Sequence, residues 1–295
     1  MSKDKFNELF KTYGCDNLTD EFVKQEVDKI LAEHLEENNN AEVYMKCFSF
    51  IDLTTLKETD TVNSVAAMIA KVNNLEEHYP EMPQVGAVCV FPSMVSTVKA
   101  TLTEDIGIAS VAAGFPASQT FTEIKVAETS LCVVDGATEI DVVISVGKFL
   151  EGNYAEVFEE LTELKSACRD AKLKIIIETG ALQTATNIKK ASILSMQAGA
   201  DFIKTSTGKI PVAATPESTY IMCSAIKDWY DKTGIKVGYK PAGGIATAED
   251  VAKHYTIVKE VLGEEWLNNN YFRIGASSLA NKLLTAIYGK EENYF

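Results

Sequence analysis

The sequence predicts an α/β protein, a (β/α)8 TIM barrel with an N-terminal helical extension. Eight short apolar or β-branched segments recur along its 295 residues, and nearly every gap between them can hold one helix and its loops. Strands that alternate with helix-length segments are typical of parallel βαβ units. Eight such units in about 250 residues indicate a closed barrel. An open, doubly wound parallel sheet is the alternative.

Each predicted strand is a short run of apolar and β-branched residues with turn-forming residues near it. The eight runs are 45–52, 85–91, 106–112, 139–145, 173–178, 202–207, 236–240 and 272–275.

Several of the gaps carry helix signals. In 121–134 the apolar residues recur at helical spacing, and Gly136 fits a C-terminal cap. Thr215 before Pro216, and Thr247 before Asp250, are typical of helix starts. The apolar residues of 121–134 are Phe121, Ile124, Ala127, Leu131 and Val134.

Residues 1–42 precede the first predicted strand and form the N-terminal extension, and residues 43–295 form the barrel domain. One apolar stripe in the extension predicts a helix that packs on the barrel. A subunit contact, and with it a homodimer, is the alternative use of the stripe. Its residues are Val23, Val27, Ile30, Leu31 and Leu35.

Composition narrows the function classes. The chain is 46% hydrophobic and 24% charged, which is typical of a globular protein. No apolar run approaches the ~20 residues that span a bilayer, and the charged N-terminus lacks an apolar signal core, so we expect a cytoplasmic protein without a membrane partner. A net charge of −14 argues against nucleic-acid binding. An anionic small substrate would need a local positive pocket.

The cysteines and histidines give no sign of a metal or hydrolase site. The six cysteines are scattered without paired spacing, which argues against a disulfide framework and a zinc site. The three histidines, His34, His78 and His254, fall in polar, helix-like stretches. A Ser–His or Cys–His hydrolase is therefore hard to build.

Two lysines at strand positions are the strongest chemical signal. Lys204 directly follows the apolar pair Phe202-Ile203, and Lys240 lies in the next predicted strand. Lysine is a poor strand former and is rarely buried. An amine held in such a place can be kept neutral, and a neutral amine attacks carbonyls. Two surface lysines at strand ends are the plainer alternative.

In a barrel, chemistry is found at the C-terminal ends of the strands. The polar residues and glycines predicted there suit an amine nucleophile, a second cation, a carboxylate proton carrier and an anion-binding cradle. We expect Ser277 or Ser278 to cap the last helix and direct its positive end toward a phosphate. The candidates are Asp52, Thr54, Asp141, Lys204, Thr207, Gly208, Lys209, Lys240, Gly243, Gly244, Gly275, Ser277 and Ser278.

Six motifs give the chain a clear resemblance to the class I deoxyribose-phosphate aldolases. They cover about residues 45–288 in the family's order, and those around Lys204 and Lys240 are highly specific. The motifs are Phe50-Ile-Asp-Leu-Thr-Thr-Leu56, Ser110-Val-Ala-Ala-Gly-Phe-Pro116, Asp135-Gly-Ala-Thr-Glu-Ile-Asp-Val-Val143, Ala200-Asp-Phe-Ile-Lys-Thr-Ser-Thr-Gly-Lys209, Gly238-Tyr-Lys-Pro-Ala-Gly-Gly244 and Phe272-Arg-Ile-Gly-Ala-Ser-Ser278.

The resemblance implies a barrel that reversibly cleaves 2-deoxy-D-ribose 5-phosphate to D-glyceraldehyde 3-phosphate and acetaldehyde, a step of deoxyribose phosphate catabolism, without metal or organic cofactor. It implies that Lys204 forms the Schiff base, with Lys240 as second lysine and Asp141 as proton-transfer partner. The other candidates match positions near the substrate hydroxyls and the phosphate.

The chain departs from the family pattern at two places. Many members carry an arginine two residues after the Gly-Gly pair, where this chain has Ala246. Some bacterial members end in a tyrosine that reaches the site, whereas this chain ends in Asn293-Tyr294-Phe295. A Schiff-base aldolase for another sugar phosphate and a non-enzymatic sugar-phosphate sensor are the alternative functions.

Overall fold

The computed structural model describes residues 3–295 and contains eight parallel strands. From β1 to β7 each strand pairs with the next one in the chain, and β1 also pairs with β8. The strands are β1 (Ile51–Thr54), β2 (Ala87–Val90), β3 (Gly107–Ala112), β4 (Glu139–Val143), β5 (Lys172–Ile176), β6 (Phe202–Lys204), β7 (Gly238–Lys240) and β8 (Ile274–Ala276).

The sheet closes between β7 and β8. Parallel bridges join Tyr239 to Phe272 and Ala242 to Gly275. The Gly275 N–H donates to the Pro241 carbonyl at 2.8 Å, which continues the ladder beyond β7. The predicted closed barrel is therefore confirmed, and an open doubly wound sheet is excluded.

Helices surround the barrel and extend it at the N-terminus. In the described residues they are α1 (Lys3–Thr12), α2 (Asp20–Asn38), α3 (Ala41–Ser49), α4 (Val62–Asn73), α5 (Leu75–His78), α6 (Val95–Thr101), α7 (Thr122–Val134), α8 (Val146–Leu150), α9 (Tyr154–Cys168), α10 (Thr179–Leu182), α11 (Ala185–Gln197), α12 (Pro216–Thr233), α13 (Ala248–Leu262) and α14 (Leu279–Tyr288).

The first predicted strand is wrong over most of its length. Residues 45–49 belong to α3, and β1 begins only at Ile51. Asn40 caps α3 by accepting the Val43 N–H at 3.1 Å. Val43, Cys47 and Phe48 are buried at helical spacing. A short apolar run cannot distinguish strand from helix, and the predicted boundary between residues 42 and 43 falls inside α3.

The helix predicted over 121–134 is present as α7, but its apolar stripe faces solvent. Phe121 is 76% exposed and Leu131 is 63% exposed. The buried residues of α7 are instead Lys125, Thr129 and Cys132. Spacing thus predicted the helix correctly and gave no indication that a polar face would be the buried one.

The N-terminal helices pack onto the outer helices of the barrel. Val23 and Val27 of α2 are buried, and α2 contacts α12 and α13. Phe10 of α1 lies edge-on to Tyr154 of α9, with ring centroids 5.0 Å apart. Two residues of the stripe on α2 are thereby buried within the chain, and Ile30 and Leu31 pack against the same core.

The six cysteines are all free and buried. A search of the helices within residues 3–295 finds none with the length and apolar character needed to cross a membrane.

Candidate active site

A cluster of charged side chains fills the barrel interior near the C-terminal ends of the strands. Side chains alternate across a strand, so Glu139 and Asp141 point inward while Ile140 and Val142 join the apolar core outside. We call the inward-facing charged set the ion network. Its members are Asp52, Glu139, Asp141, Lys174, Lys204, Lys240 and Arg273, and all are buried.

Lys204 and Lys240 lie side by side because β6 and β7 pair them in register. The ammonium groups of both contact the same oxygen of Asp141, with Nζ–Oδ2 distances of 2.7 Å each. The Lys240 ammonium also donates to Oδ2 of Asp52. The structure therefore brings together the three residues that the sequence nominated for catalysis.

A deeper part of the ion network supports these three residues. Lys174 contacts Asp141 at 3.1 Å, Asp52 at 3.0 Å and Glu139 at 2.5 Å. Arg273 donates to Asp52 at 2.7 Å and to Glu139 at 2.9 Å. Asp52 is thus held by three cations, and this fixes the position of Lys240.

Lys204 is the least neutralised cation of the ion network. Among the described residues it has one carboxylate partner, whereas Lys240 has two and Lys174 has three. Four cations face three carboxylates, so the loss of one proton balances the formal charge. Lys204 is the group from which that proton leaves at the lowest electrostatic cost.

The pKa shifts follow the same order. Burial lowers the pKa of Lys204 below its ordinary value, Asp141 opposes this, and the Lys240 ammonium lowers the pKa further. Burial also acts to lower the pKa of Lys240, but Asp141 and Asp52 outweigh it and raise that pKa. Despite burial, Lys174, Lys204 and Lys240 hold the pKa of Asp141 well below its usual range. At neutral pH Asp141 is therefore charged, and Lys204 is the amine closest to neutrality.

Above the ion network an open cavity of about 250 Å³ leads from solvent to Lys204. Lys204 lines this cavity, whereas Lys174 and Lys240 are completely buried. A carbonyl compound in the cavity can thus reach Lys204 directly. The other lining residues are Thr54, Thr55, Leu56, Lys57, Thr207, Gly208, Lys209, Ala242, Gly243, Gly275, Ala276 and Ser277.

A small apolar cluster lies on one side of the interior. Leu56, Cys89, Ala109 and Val111 form it, and Phe91 and Phe115 pack against it. Leu56 belongs to both this cluster and the cavity wall. Apolar surroundings disfavour the charged form of an amine, and burial is the largest cause of the lowered pKa of Lys204.

The loop after β6 is fixed by Glu178, at the end of the neighbouring strand. The Glu178 carboxylate accepts the Thr207 N–H at 3.1 Å and the Thr207 hydroxyl at 2.6 Å. Lys209 reaches across the cavity mouth and donates to the Leu56 carbonyl at 2.5 Å. The loops after β1 and β6 are thereby joined around the cavity.

Glycines let the backbones approach at the cavity wall. A Cβ on Gly243 would lie 3.0 Å from the Gly208 Cα, and one on Gly275 would lie 3.2 Å from Cε of Lys240. Replacing either glycine by a residue with a side chain would therefore crowd the cavity wall or displace Lys240. Gly244 is more open and lies outside the cavity lining.

Ser277 lines the cavity, and Ser278 lines a second cavity of about 410 Å³ that adjoins it through Thr54, Thr55, Lys57 and Ser277. Ser278 occupies the N-cap position of α14, but its side chain makes no capping hydrogen bond. The prediction that a serine side chain caps this helix is therefore wrong for Ser278.

The predicted site residues thus fall into three groups. Those on the cavity wall are Thr54, Lys204, Thr207, Gly208, Lys209, Gly243, Gly275 and Ser277. Asp52, Asp141 and Lys240 lie beneath it, each fully buried. Asp52 was expected near the substrate hydroxyls; the structure places it among cations instead. Gly244 and Ser278 lie outside the wall.

Sequence reasoning missed five charged residues around the site. Lys174, Glu139 and Arg273 complete the ion network, Glu178 holds the loop after β6, and Lys57 lines the cavity mouth. A charge within an apolar strand was the available signal for Lys174 and Arg273. No local pattern distinguishes Lys57 from other loop lysines.

The C-terminal tail lies away from Lys204. The Tyr294 hydroxyl donates to the Lys71 carbonyl of α4 at 2.7 Å. The Asn281 side chain accepts the N–H groups of Tyr294 and Phe295 at 3.0 and 2.9 Å. The tail is thus fixed against α4 and α14, and Asn293 and Phe295 line the second cavity.

Two clusters that each contain one histidine lie outside the cavity. His254 is buried in α13, where its Nδ1 contacts the Thr219 hydroxyl at 2.6 Å. His34, Glu37 and Glu260 form the group of potential metal ligands found among the described residues, at the surface between α2 and α13. Neither cluster touches the ion network.

Comparisons with known proteins find aldolases among the relatives of this chain. The family model described as DeoC/LacD family aldolase matches residues 47–281. The deoxyribose-phosphate aldolase of Mus musculus is 45% identical over 83% of this chain and 80% of its own length. The enzyme of the same name from Homo sapiens is 44% identical with the same coverage.

A solved structure gives the same fold. The deoxyribose phosphate aldolase from Aeropyrum pernix, described as a unique tetrameric structure, aligns with a TM-score of 0.67 and 22% identity. The alignment covers 86% of this chain and 97% of that one.

Proposed function

Because this chain belongs to the DeoC/LacD family of aldolases, we propose that it is a Schiff-base aldolase that reversibly cleaves 2-deoxy-D-ribose 5-phosphate to D-glyceraldehyde 3-phosphate and acetaldehyde. One observation supports this most directly: Lys204 is the lysine of the ion network that lines the cavity, and it has the fewest carboxylate partners. The substrate rests on the names of the mouse and human relatives and on the motifs.

The first chemical step is the attack of neutral Lys204 on the C1 carbonyl of the open-chain sugar. A carbinolamine forms and loses water to give an iminium ion, with water taking the former carbonyl oxygen. Lowering the pKa of Lys204 raises the fraction of neutral amine. For a free lysine that fraction is only about one in two thousand at pH 7.

The iminium nitrogen then accepts the electron pair of the C2–C3 bond. The C3 hydroxyl loses its proton, C3 becomes the aldehyde carbon of glyceraldehyde 3-phosphate, and an enamine remains on Lys204. Protonation at C2 and hydrolysis release acetaldehyde and regenerate the amine. Asp141 is fully buried, so we assign it proton exchange through Lys240 and bound water rather than direct contact with the sugar.

The cavity mouth provides the positive pocket that an acidic protein needs for a phosphate. Lys57 follows β1 and Lys209 follows β6, and both line the cavity together with Gly208, Gly243 and Ser277. Lysine ammonium groups and closely approaching backbone N–H groups are common phosphate ligands. We therefore assign the phosphate to this end and the carbonyl to Lys204.

Borohydride trapping tests the assignment. Incubation with acetaldehyde or 2-deoxyribose 5-phosphate and borohydride should give a reduced adduct on Lys204, located by peptide mass spectrometry. Lys204→Leu should abolish the adduct and cleavage while leaving the fold intact, and Lys227→Leu, at an exposed ion pair, is the matched control. Normal turnover by a folded Lys204→Leu protein would sink the proposal.

Product analysis distinguishes the substrate from the reaction type. Release of acetaldehyde from 2-deoxyribose 5-phosphate supports the proposed substrate. An adduct on Lys204 without acetaldehyde release, but with cleavage of another sugar phosphate, would keep the Schiff-base aldolase and change its substrate.

The compartment, the partners and the pathway of the protein are also proposals. Six free, buried cysteines favour a reducing compartment such as the cytoplasm. The negative net charge disfavours nucleic acid as a partner. We also propose a homodimer, which sedimentation velocity tests. Catabolism of deoxyribose phosphate is the expected pathway.

A further inference from the structure

Glu178 combines two features that are unusual for a glutamate outside the ion network. Its backbone has φ 57° and ψ 63°, a left-handed conformation that residues with a side chain rarely adopt. Among the buried glutamates of the described residues, Glu139 and Glu160 contact cations, whereas Glu178 has no cation partner. A strained backbone and a buried carboxylate without a cation both lower stability, and strain of this kind concentrates at functional sites.

The Glu178 carboxylate is held instead by a single residue, Thr207. Its two oxygens accept the Thr207 N–H at 3.1 Å and the Thr207 hydroxyl at 2.6 Å. A carboxylate can only accept hydrogen bonds, so the hydroxyl proton of Thr207 points toward Glu178. Thr207 lines the cavity and Glu178 does not. The direction of a cavity hydroxyl is thus set by a residue behind the wall.

A second hydrogen bond at the Thr207 hydroxyl oxygen closes the turn at the cavity mouth. The Lys209 N–H donates to this oxygen at 3.1 Å, and Gly208 between them has a positive φ of 73°. The Lys209 side chain then continues to the Leu56 carbonyl. A displacement of Thr207 would therefore also displace Lys209.

The remaining lone pair of the Thr207 hydroxyl limits what a substrate can present to it. One lone pair accepts the Lys209 N–H, and the proton is donated to Glu178, so the oxygen can accept one more hydrogen bond but cannot donate one. A sugar hydroxyl can donate to it, whereas the acceptor oxygens of a phosphate dianion cannot. Thr207 therefore suits a sugar hydroxyl, and Lys209 suits the phosphate.

We propose that Glu178 is a positioning residue for the glyceraldehyde 3-phosphate half of the substrate. Through Thr207 it orients one hydroxyl acceptor and holds Lys209 at the cavity mouth. This inference rests on the proposed aldolase function and includes no contact between Glu178 and the substrate. Acetaldehyde carries neither a hydroxyl nor a phosphate and reacts at Lys204, so its use should not depend on Glu178.

Steady-state kinetics in the direction of condensation separate the two halves. Glu178→Gln is nearly isosteric, but its amide NH2 group donates, so it cannot accept both Thr207 donors. The KM for D-glyceraldehyde 3-phosphate should rise by about ten- to a hundredfold, the value of one charged hydrogen bond. The KM for acetaldehyde should change by less than about twofold. Glu178→Asp, whose shorter side chain withdraws the carboxylate from Thr207, should show the same split.

Glu160→Gln is the matched control. Glu160 is also a buried glutamate that accepts a hydroxyl, that of Ser145 at 2.8 Å, but it lies outside the cavity. This variant should be less stable to heat, because buried Lys125 loses its carboxylate partner. Both KM values should stay unchanged. A purely structural role for Glu178 would give this pattern and not the split between the two aldehydes.

A double-mutant cycle tests the route through Thr207. Thr207→Val removes the hydroxyl and should by itself raise the KM for glyceraldehyde 3-phosphate. Adding Glu178→Gln to Thr207→Val should raise this KM by much less than it does in wild type, because both changes break the same hydrogen bond. Two effects that simply multiply would show that Glu178 does not act through the Thr207 hydroxyl and would overturn the inference.

The outcomes also separate this inference from the aldolase assignment. A wild type that does not condense acetaldehyde with glyceraldehyde 3-phosphate overturns both. An active wild type in which Glu178→Gln leaves the KM for glyceraldehyde 3-phosphate unchanged, or raises both KM values alike, overturns the positioning role alone. Failure of both Glu178 variants to fold, when Glu160→Gln folds, would also overturn it, because Glu178 would then act in the fold.

Discussion

The inner and outer faces of the barrel are built from the same strands with opposite chemistry. On β4, Glu139 and Asp141 face inward into the ion network, and Ile140 and Val142 face outward into the apolar core. At the start of β8, Arg273 precedes the strand and points inward, whereas Ile274, its first residue, points outward. One face therefore supplies chemistry, and the other supplies most of the burial that stabilises the fold.

The difference shows where the barrel gives up stability for function. TIM-barrel interiors are usually filled with branched apolar side chains. Here seven charged groups occupy that space. Each loses its hydration, and the attraction to its partners compensates for only part of that free-energy cost. Because cations outnumber carboxylates by one, Lys204, which has the fewest carboxylate partners, is the cation that loses its proton most easily. An apolar interior would pack well but could not tune an amine.

Among variants that keep Lys204, removing Lys240 from the interior should cause the largest loss of activity. Lys240→Leu should lower kcat by about a thousandfold or more, because the proton path to Asp141 is lost. The pKa of Lys204 should rise, since the Lys240 ammonium lowers it. The neutral fraction at pH 7 then falls, so part of the activity should return as pH rises. A pH–rate profile for both proteins measures this; an unshifted profile would show that burial alone tunes Lys204.

The two faces can be compared directly at adjacent residues. Arg273→Met leaves Asp52 and Glu139 short of a cation and should destabilise the fold by about 3–5 kcal/mol. It should also lower kcat, because Asp52 positions Lys240. Ile274→Val, on the outer face, should cost about 0.5–1.5 kcal/mol and leave kcat unchanged. Urea denaturation and steady-state kinetics on both variants provide the comparison, and equal losses of kcat would contradict it.

The faces should also respond differently to acid. Burial lowers the pKa of His254, in the outer layer, from 6.5 to about 4. Between these two values the unfolded chain binds a proton that the folded chain does not. The free energy of unfolding therefore decreases as the pH is lowered through this range, by up to about 3 kcal/mol. The inner carboxylate of Asp141 has a pKa held below its usual range, so its contribution persists to lower pH.

His254→Asn keeps a donor near Thr219 and removes the titrating ring. This variant should lose most of the pH dependence of stability between pH 6.5 and 4.5, as measured by urea denaturation at several pH values. An unchanged dependence would assign the acid sensitivity to other groups.

The cavity mouth should show the smallest effects. Lys57→Met should weaken the preference for 2-deoxyribose 5-phosphate over 2-deoxyribose by about ten- to a hundredfold, the value of one charged hydrogen bond. Ala246→Arg should change this phosphate preference by less, because Lys57 and Lys209 already line the mouth. An arginine at 246 would also lie close to Asp250. A large gain in phosphate preference for Ala246→Arg would show that the mouth lacks a needed cation.

The sequence by itself determined the alternation of strands and helices and the two lysines that matter most. Both are local signals: an apolar run or a helix cap depends on neighbouring residues, as the capping boxes of Thr215 with Ser218 and Thr247 with Asp250 show. The motifs around Lys204 and Lys240 are also contiguous in sequence, so they were readable without coordinates.

Only the tertiary structure decided which partners each charge has. Lys174 contacts Asp52 from 122 positions away in the chain, and no local pattern encodes such a pairing. The same holds for the accessibility of Lys204, for the role of Lys57, and for the exposure of the apolar side of α7. Periodicity predicts that a helix has two faces, but which face is buried depends on the charges that the rest of the fold places beneath it.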